Sequence, residues 1–453
     1  MQLSGLVIVT GVAGQMGVIP LFFRKPMTTA TALGLALMPA VAAAQQLNEP
    51  LLETALPPTY DRGRNVSVND RQRPEYQATG VNLGGFTAFP SLQVTTGHTN
   101  NALLTEVDER SDGFVTVKPR ALVQSNWSVH QLRLDTGANL TRYFSNPLRN
   151  EDGWYASLAG RYDATPDLSL SLSGRTARQY ESRFVGVAVT DALGASALRT
   201  TNARALVKYE FSRSRLMAAA NYNRLTYNDV LLFDGTTLNQ RNRDRDVTIG
   251  VLHYEYALTP DASVFSEVSY TDTQYDVFFR PGLANRDSQE WKGVAGISFD
   301  LAAPFRGSLA VGYVNRKFDA PIYSRLRGLS AAARLEYFPT QLTTVTLNLR
   351  REVEDANIVG SSGYFANAAS LRVDHELLRS LILSVGGEYQ SDDYIDLAGR
   401  LRIFRVQGSA KYMLSNWIGI NAEARYAKRD SNLPQIGADI AERRAMIGVI
   451  IQR

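Results

Sequence analysis

Residues able to act as a general base are few in this sequence, and none is paired with a nucleophile by its spacing. The 453-residue chain has four histidines, His98, His130, His253 and His375, and no cysteine. A serine or threonine nucleophile needs a base next to it, yet the histidines fall in separate stretches of alternating sequence. His375 has an acidic residue on each side, but neighbours along a strand point to opposite faces. We therefore expect no enzymatic activity, no cofactor and no metal site.

Charged residues could instead line a wet surface, because many stand at every second position between apolar residues. In the last third of the chain, Val345, Leu347 and Leu349 alternate with polar residues that include Asn348 and Arg350. Alternation with period 2 places the two sets on opposite faces of a β-strand. The cations predicted on the polar face are Lys118, Arg120, Arg133, Arg161, Arg204, Lys208, Arg215, Lys292, Arg316, Arg350, Arg372, Arg405, Lys411 and Arg425.

Carboxylates share this predicted face, although the cations lead by a modest margin. A basic lining would concentrate anionic solutes in a passage, and arginine suits carboxylates and the hydroxyl groups of sugars. The alternative is that opposite charges pair across strands and stiffen the sheet. The candidate anions are Asp135, Glu210, Glu255, Glu267, Asp300, Glu352, Asp374, Glu388 and Glu423.

Two kinds of connection separate the alternating stretches, and they follow one another in strict turn. Short turns on one side and longer loops on the other are typical of outer-membrane barrels, and counting between the markers gives about eighteen strands. Tight turns are predicted near Asn126, Pro166, Arg213, Pro260, Pro304, Pro339, Arg379 and Asn416. Longer polar loops are predicted around Glu106, Gly186, Gly235, Pro281, Pro321, Gly360, Asp393 and Pro434.

Aromatic residues form two rows, one near each kind of connection, as expected for interfacial girdles. A soluble sandwich would bury its aromatic residues in the middle of the strands instead. The row near the tight turns contains Tyr162, Tyr209, Phe211, Tyr256, Phe299, Tyr337, Phe338 and Tyr412. The row near the long loops contains Tyr143, Phe144, Tyr180, Tyr227, Tyr275, Phe318, Tyr389 and Tyr426.

The sequence thus predicts an all-β fold, a single transmembrane antiparallel β-barrel of about eighteen strands (16–18) over residues 81–453. In lipid the sheet must close on itself, with a first strand of about Gly85 to His98 pairing with the last, Arg443 to Arg453. Residues 1–44 are predicted to be a signal peptide cleaved after Ala44. Residues 45–80 are polar and aperiodic, which predicts a disordered periplasmic tail.

Short motifs in this chain resemble those of the putative β-barrel porin type 2 family, across about Val81 to Arg453. They include Leu83-Gly84-Gly85-Phe86, Asn100-Asn101, Asp112-Gly113-Phe114 and the run from Ser125 to Leu132. The chain departs from many barrels at its last residue, which is Arg453 and not an aromatic residue. Members of this family often belong to capsule or exopolysaccharide secretion systems.

The resemblance implies an outer-membrane exit pore for an exopolysaccharide or capsule, working with a periplasmic polysaccharide export protein. The residues themselves leave two alternatives open: a general or anion-preferring diffusion porin, and a loop-plugged barrel with a structural or adhesive role. The other expected partners are outer-membrane lipid and lipopolysaccharide. Nucleic acid is not expected at a formal net charge of +4.

Overall fold

The computed structural model describes residues 61–184, 189, 192–278, 282–301, 304–356 and 358–453. The predicted signal peptide and residues 45–60 lie outside these ranges, as do Gly186 and Pro281 in two of the predicted loops. In the described residues no helix has the length and apolar character needed to cross a membrane. The helical turns present are short 3-10 segments such as Pro74–Tyr76.

Eighteen long strands of 12 to 15 residues make up the wall within the described ranges. The alternation of apolar and polar residues explains them, since each strand has one lipid-compatible face and one polar face. Their bounds are β1 Phe86–Thr99, β2 Asp112–Ser125, β3 Gln131–Tyr143, β4 Glu151–Asp163, β5 Leu168–Tyr180, β6 Ala197–Phe211, β7 Ser214–Tyr227, β8 Arg245–Thr259, β9 Ala262–Tyr275, β10 Ser288–Asp300, β11 Phe305–Phe318, β12 Leu326–Thr340, β13 Thr343–Glu354, β14 Tyr364–Leu378, β15 Leu381–Tyr394, β16 Arg400–Met413, β17 Ile418–Ser431 and β18 Ile440–Gln452.

Every strand pairs antiparallel with its neighbour in the chain, and β1 pairs with β18 to close the barrel. In the closing ladder Ser91 lies opposite Gln452 and Val94 lies opposite Val449. The predicted closed barrel of eighteen strands, with these closing partners, is therefore confirmed. Closure leaves no strand edge with unpaired backbone groups, as a sheet in lipid requires.

The connections alternate between short turns and longer loops, so the barrel has what we call a turn end and a loop end. Two predicted markers lie inside strands and not in connections. Pro339 lies near the end of β12, where the register shifts between Tyr337 and Thr340 and the ladder does not need the missing N–H of proline. Asp393 continues β15, because it pairs in the ladder with Arg400 and also binds its guanidinium at 2.6 Å.

The outer face of the wall is apolar, and the predicted row of aromatic residues at the turn end lies on it except for Phe338, whose ring centroid lies 5.4 Å from the guanidinium of the inward-facing Arg306. Tyr209 and Phe211 are exposed there and stack with ring centroids 5.2 Å apart. The predicted row at the loop end is only partly correct, because four of its members lie on the inner face. The parity of their strands turns these four rings away from lipid and buries them: Tyr143, Tyr227, Tyr275 and Phe318.

The segment Asp61–Gln77, which we call the strap, precedes the wall and contacts inward-facing side chains at the turn end. The backbone N–H of Val68 donates to Thr344 Oγ1 at 2.9 Å, and Val68 is fully buried with Ile382 and Met413. The sequence predicts a disordered tail here, and for the described residues from Asp61 onward that prediction differs from the structure. Polar composition without periodicity could not reveal the complementary charges on the wall.

Candidate functional site

The predicted lining cations all lie on the inner face of the wall, because each shares its strand parity with buried polar residues. Arg120 Nη2 binds Asp135 Oδ2 at 2.6 Å, and Arg133 reaches the same carboxylate at 3.3 Å. Tyr155 donates its hydroxyl to Asp135 at 3.1 Å. Asp135 therefore neutralises two of the predicted cations on neighbouring strands β2 and β3.

Other predicted cations pair in the same way with carboxylates on the inner face. Arg215 joins Glu210 at 2.7 Å to Glu255 at 3.0 Å. The remaining pairs are Lys208–Glu210 at 3.4 Å, Arg161–Asp163 at 3.1 Å, Arg316–Glu290 at 2.8 Å, Arg350–Glu352 at 2.9 Å, Arg372–Asp374 at 2.8 Å, Arg405–Glu388 at 3.4 Å and Arg425–Glu442 at 3.0 Å.

Four predicted cations have other surroundings. Arg204 faces Ser173 and Asn221 in the ladders, and Lys292 faces Ser269. Among the described residues, no carboxylate oxygen lies within 4.0 Å of the Lys118 or Lys411 ammonium group. The inner face of the wall thus carries mainly ion pairs, which we call the charged lattice. Lys118 and Lys411 lie on this face without an ion pair among the described residues.

Side chains at mid-depth of the wall remain partly accessible although they point inward. The side chains of Arg120, Arg350 and Arg372 are 21%, 24% and 28% exposed. Their strands place them between the two ends of the barrel and away from lipid, so the accessible surface belongs to the lumen. Charged groups of this kind need water or a partner, and each of these three arginines has a carboxylate partner.

A loop narrows the lumen at the loop end. The connection between β5 and β6 carries Phe184, which is 2% exposed and packs in an apolar cluster formed mainly by strands β14–β18. Arg183 donates to the carbonyl oxygen of Leu103, and Arg429 donates to the carbonyl oxygen of Arg183. Since β5 and the strands of this cluster are far apart around the wall, the loop crosses the lumen to reach them.

Inner-face aromatic rings at the loop end hold arginines that the sequence did not single out. The guanidinium of Arg243 lies 3.8 Å from the centroid of the Tyr227 ring and donates to Glu181 Oε2 at 2.9 Å. Arg444 lies 4.2 Å from the centroid of the Phe114 ring. Strand parity could have identified the inward rings, but assigning Tyr227 to a lipid-facing girdle concealed its contact with Arg243.

Asp355 follows β13 at the loop end and is surrounded by arginines. Burial alone would raise the pKa of this carboxyl, yet Arg316, Arg245 and Arg286 together hold its pKa below the ordinary value. Tyr275 also donates its hydroxyl to Asp355, at 3.3 Å. Asp355 is therefore an anion that organises several cations at this end, and sequence spacing gave no indication of it.

At the turn end the strap brings its own charges onto the inner wall. The backbone N–H groups of Arg62 and Arg64 donate to Asp300 Oδ2 at 2.9 and 3.1 Å. Arg73 Nη2 binds Glu376 Oε2 at 2.5 Å. These contacts are made with the inner face of the wall and not with its outer surface, so the strap narrows the mouth at this end.

The described residues contain no group of three or more His, Cys, Asp and Glu side chains placed to hold a metal ion. His253 Nδ1 and Glu267 Oε2 are 3.1 Å apart and both side chains are buried in the wall. His375 Nδ1 contacts Thr343 Oγ1 at 3.0 Å.

Comparison with known proteins gives a family match and a set of structures with a similar fold. The family model described as Putative beta-barrel porin 2 matches residues 73–453. The outer membrane protein OpdK of Pseudomonas aeruginosa is 12% identical, with a TM-score of 0.41 over 81% of this chain and 99% of that chain. OccK2 (OpdF) of the same organism is 11% identical, with a TM-score of 0.45 over 81% of this chain and 98% of that chain.

A BenF-like porin from Pseudomonas fluorescens Pf-5 is 9% identical, with a TM-score of 0.45 over 81% of this chain and 99% of that chain. At these identities the similarity concerns the fold alone. No curated protein sequence matches the chain.

Proposed function

Because this chain belongs to the Putative beta-barrel porin 2 family, it is an outer-membrane channel and not an enzyme, and we propose that it acts as a diffusion porin for small hydrophilic solutes. In outer-membrane barrels the short turns are periplasmic and the long loops extracellular. The turn end and the strap therefore lie on the periplasmic side, and the loop carrying Phe184 on the outer side.

The accessibility of charged side chains at mid-depth supports this proposal most directly. A barrel of eighteen strands encloses more space than side chains of its wall can fill. Arg120, Arg350 and Arg372 point into that space and keep part of their surface free. A lining of this kind is compatible with a continuous path of water between the two narrowed mouths.

The pairing of charges supports weak selectivity. An arginine bound to a carboxylate at 2.6–3.0 Å presents little net field to a passing ion, as in the pairs of Arg120 and Arg215. Lys118 and Lys411 have no such partner among the described residues, and a basic site focuses anions. We therefore propose a modest preference for anions, carried by these two lysines, with the predicted cations as lining residues.

Export of a polysaccharide with a periplasmic partner, which the family resemblance implied, receives no support from the contacts described above. The diffusion porin needs only a wide, wet, charge-balanced lumen, and it accounts for more of the observations. Binding to lipopolysaccharide and to an export protein remain predictions of the sequence.

Planar-bilayer recording of the refolded protein tests the proposed function. We expect steady conductance in KCl. Under a KCl gradient we expect a small reversal potential whose sign indicates anion preference, and the variant K118Q/K411Q should lose this reversal potential. Addition of an acidic polysaccharide should leave the current unchanged. Lasting block by the polymer would favour the export pore, and the absence of conductance would contradict both kinds of channel.

A further inference from the structure

Two carboxylates on the inner face of the wall at the turn end accept hydrogen bonds from the strap. Asp300 accepts hydrogen bonds from the backbone N–H groups of Arg62 and Arg64 and from Asn65 Nδ2, the last at 2.7 Å. Within the described residues, every side-chain hydrogen bond and ion pair of Asp300 comes from these strap residues.

Glu376 has the same dependence on the strap. Its Oε2 binds Arg73 Nη2 at 2.5 Å and Arg71 Nη1 at 3.2 Å. In the described part of the chain its carboxylate has no other hydrogen-bond donor or cationic partner. Glu376 is 5% exposed and Asp300 is fully buried, so both carboxylates are desolvated beneath the strap.

Neighbouring carboxylates differ, because the wall supplies its own cations to them. Glu336 binds Arg306 at 2.5 Å, and Glu255 binds Arg215 at 3.0 Å in addition to Arg62 of the strap at 3.5 Å. Within the described residues, Asp300 and Glu376 therefore take their side-chain hydrogen-bond donors from the strap and not from the sheet. A buried carboxylate without a partner is costly, and this cost favours occupation of the site.

The strap follows the wall over a large part of the turn end. Its contacts begin at Glu255 on β8 and Ser263 on β9. They continue at Asp300 on β10, Thr344 on β13 and Glu376 on β14. They end at β18, where Gln452 Nε2 donates to the carbonyl oxygen of Tyr76 at 3.2 Å. A layer of chain along the wall takes up about 10 Å of the width of the mouth.

We propose that Asp300 and Glu376 form a binding site for guanidinium groups and other N–H donors, which the strap occupies so that it narrows the periplasmic mouth. Glu376 binds the guanidinium groups and Asp300 binds the backbone and amide N–H groups, so the resident ligand is a segment of the same chain. The proposal deepens the proposed channel function and rests on it. Release of the strap widens the mouth.

The first test compares two double variants that each remove two inner-wall carboxylates. D300N/E376Q removes the negative charges of Asp300 and Glu376, whereas D135N/E210Q removes the charges of two acids that the strap does not contact. We expect the single-channel conductance of D300N/E376Q to rise about two-fold, because the layer of chain leaves the mouth. An unchanged conductance, or an equal change in the control, would overturn the proposal.

A disulfide provides a measurement of strap position that does not depend on conductance. The chain has no cysteine, so V68C/T344C introduces a unique pair where the strap touches β13. Oxidation should form the disulfide in folded protein. When the cysteine pair is combined with D300N/E376Q, oxidation should return the conductance to that of the wild type. Failure of the bond to form in the folded wild-type wall would overturn strap docking, even if D300N/E376Q does not assemble.

The ligand class is tested with agmatine as the probe. R71Q/R73Q removes the strap guanidinium groups from Glu376, and agmatine added on the periplasmic side should then reduce the conductance of this variant more than that of the wild type. Tetramethylammonium, a cation without N–H donors, should have no such effect. Equal block by both cations would contradict the guanidinium site.

The disulfide distinguishes failure of this proposal from failure of the proposed channel function. If no variant conducts current but the disulfide forms, the channel function is contradicted and strap docking is not.

Discussion

Arg306 illustrates how the inner wall holds a charge that is almost completely buried. Its Nε donates to Glu336 Oε2 at 2.5 Å, and its Nη1 donates to the carbonyl oxygen of Asn65 at 2.7 Å. Arg306 is 3% exposed and Glu336 is 2% exposed. Neither charge has access to enough water to compensate for loss of the other.

We expect R306A to destabilise the barrel by about 3–5 kcal/mol, because it leaves Glu336 buried without its main partner. The matched control is R334A, since Arg334 binds the same carboxylate at 2.8 Å with a side chain that is 48% exposed. Exposed pairs contribute about 0–1 kcal/mol. Urea unfolding in detergent, followed by tryptophan fluorescence, measures both, and equal losses would contradict this account.

At the residue scale the sequence predicted the faces of the charged residues better than those of the aromatic ones. Parity alone placed Arg120 and Arg372 on the inner face, because their strands alternate without interruption. Tyr227 and Tyr275 follow the same parity, yet proximity to a loop was taken as evidence of a girdle. An aromatic ring near a strand end can face lipid or cover an arginine, and composition does not distinguish the two.

Among the elements, the ladder between β10 and β11 shows where close backbone contact requires glycine. A Cβ on Gly312 would lie 2.0 Å from the carbonyl oxygen of Gly293, on the neighbouring strand. A Cβ on Gly293 would meet no atom within 4 Å. The two glycines therefore differ in what a methyl group would do, although they lie on the same pair of strands.

We expect G312A to lower the free energy of unfolding by about 1–3 kcal/mol, because the strands must move apart to admit the methyl group. G293A should be neutral, or stabilising by up to about 1 kcal/mol through loss of freedom in the unfolded chain. Thermal unfolding monitored by gel mobility compares the two variants. A G312A barrel as stable as G293A would show that the ladder adjusts without cost.

The strap is the element whose docking should depend on pH. Hydrogen bonds from Arg379 lower the pKa of Glu75 below its ordinary value of 4.5, and Arg73 adds to the effect. A carboxyl with a lowered pKa stabilises the docked state above its ordinary pKa, and the contribution disappears as pH falls through the lowered value. Docking through Glu75 is therefore constant at neutral pH and lost only in acid.

Conductance recorded at neutral pH and below pH 4.5 should show strap release in acid for the wild type. Other carboxylates titrate in the same range, so the informative quantity is the difference between the wild type and E75Q. We expect E75Q to lose part of the acid response. An identical response in both proteins would mean that Glu75 does not control docking.

Most elements could be predicted because a strand depends on its own alternation and on the turns beside it. The turn marked by Pro260 and the loop marked by Gly235 lie where the sequence placed them. The strap could not be predicted in this way. Its structure depends on Asp300 and Glu376, which lie more than two hundred positions away in the chain.

In the whole molecule, the lumen is narrowed at both mouths by segments that do not belong to the wall. The loop carrying Phe184 crosses the lumen at the loop end, and the strap lies along the inner face of the wall at the turn end. Between them lies the charged lattice that contains Arg350 and Arg372. A solute therefore meets two constrictions in series, and the narrower one limits the current.

We expect F184A to raise the conductance or its fluctuations, because the loop loses its apolar anchor and a cavity forms at a cost of about 3–5 kcal/mol. The matched control is F144A, since Phe144 is 68% exposed and has little packing to lose. Single-channel recording distinguishes the two. Wild-type behaviour of F184A would place the limiting constriction at the strap.

The number of strands and their closure follow from local patterns repeated along the chain, so the whole barrel could be predicted. The state of the lumen could not, because it depends on where loops and tails fold relative to a wall that the sequence pattern does not describe. Phe184 lies in a loop predicted to be polar, yet it contacts strands far away in the chain. Such contacts are set by tertiary packing.

The contact between Tyr76 and Gln452 bears on how the barrel assembles. Closing the seam brings together the first and last strands, and bringing distant parts of a chain together costs conformational entropy. Once the strap has docked on strands β10–β14, it leads directly into β1 and holds Tyr76 beside the final strand. A strap that docked before closure would confine the search of β1 for β18 to a short tether and would lower the entropic cost of forming the seam.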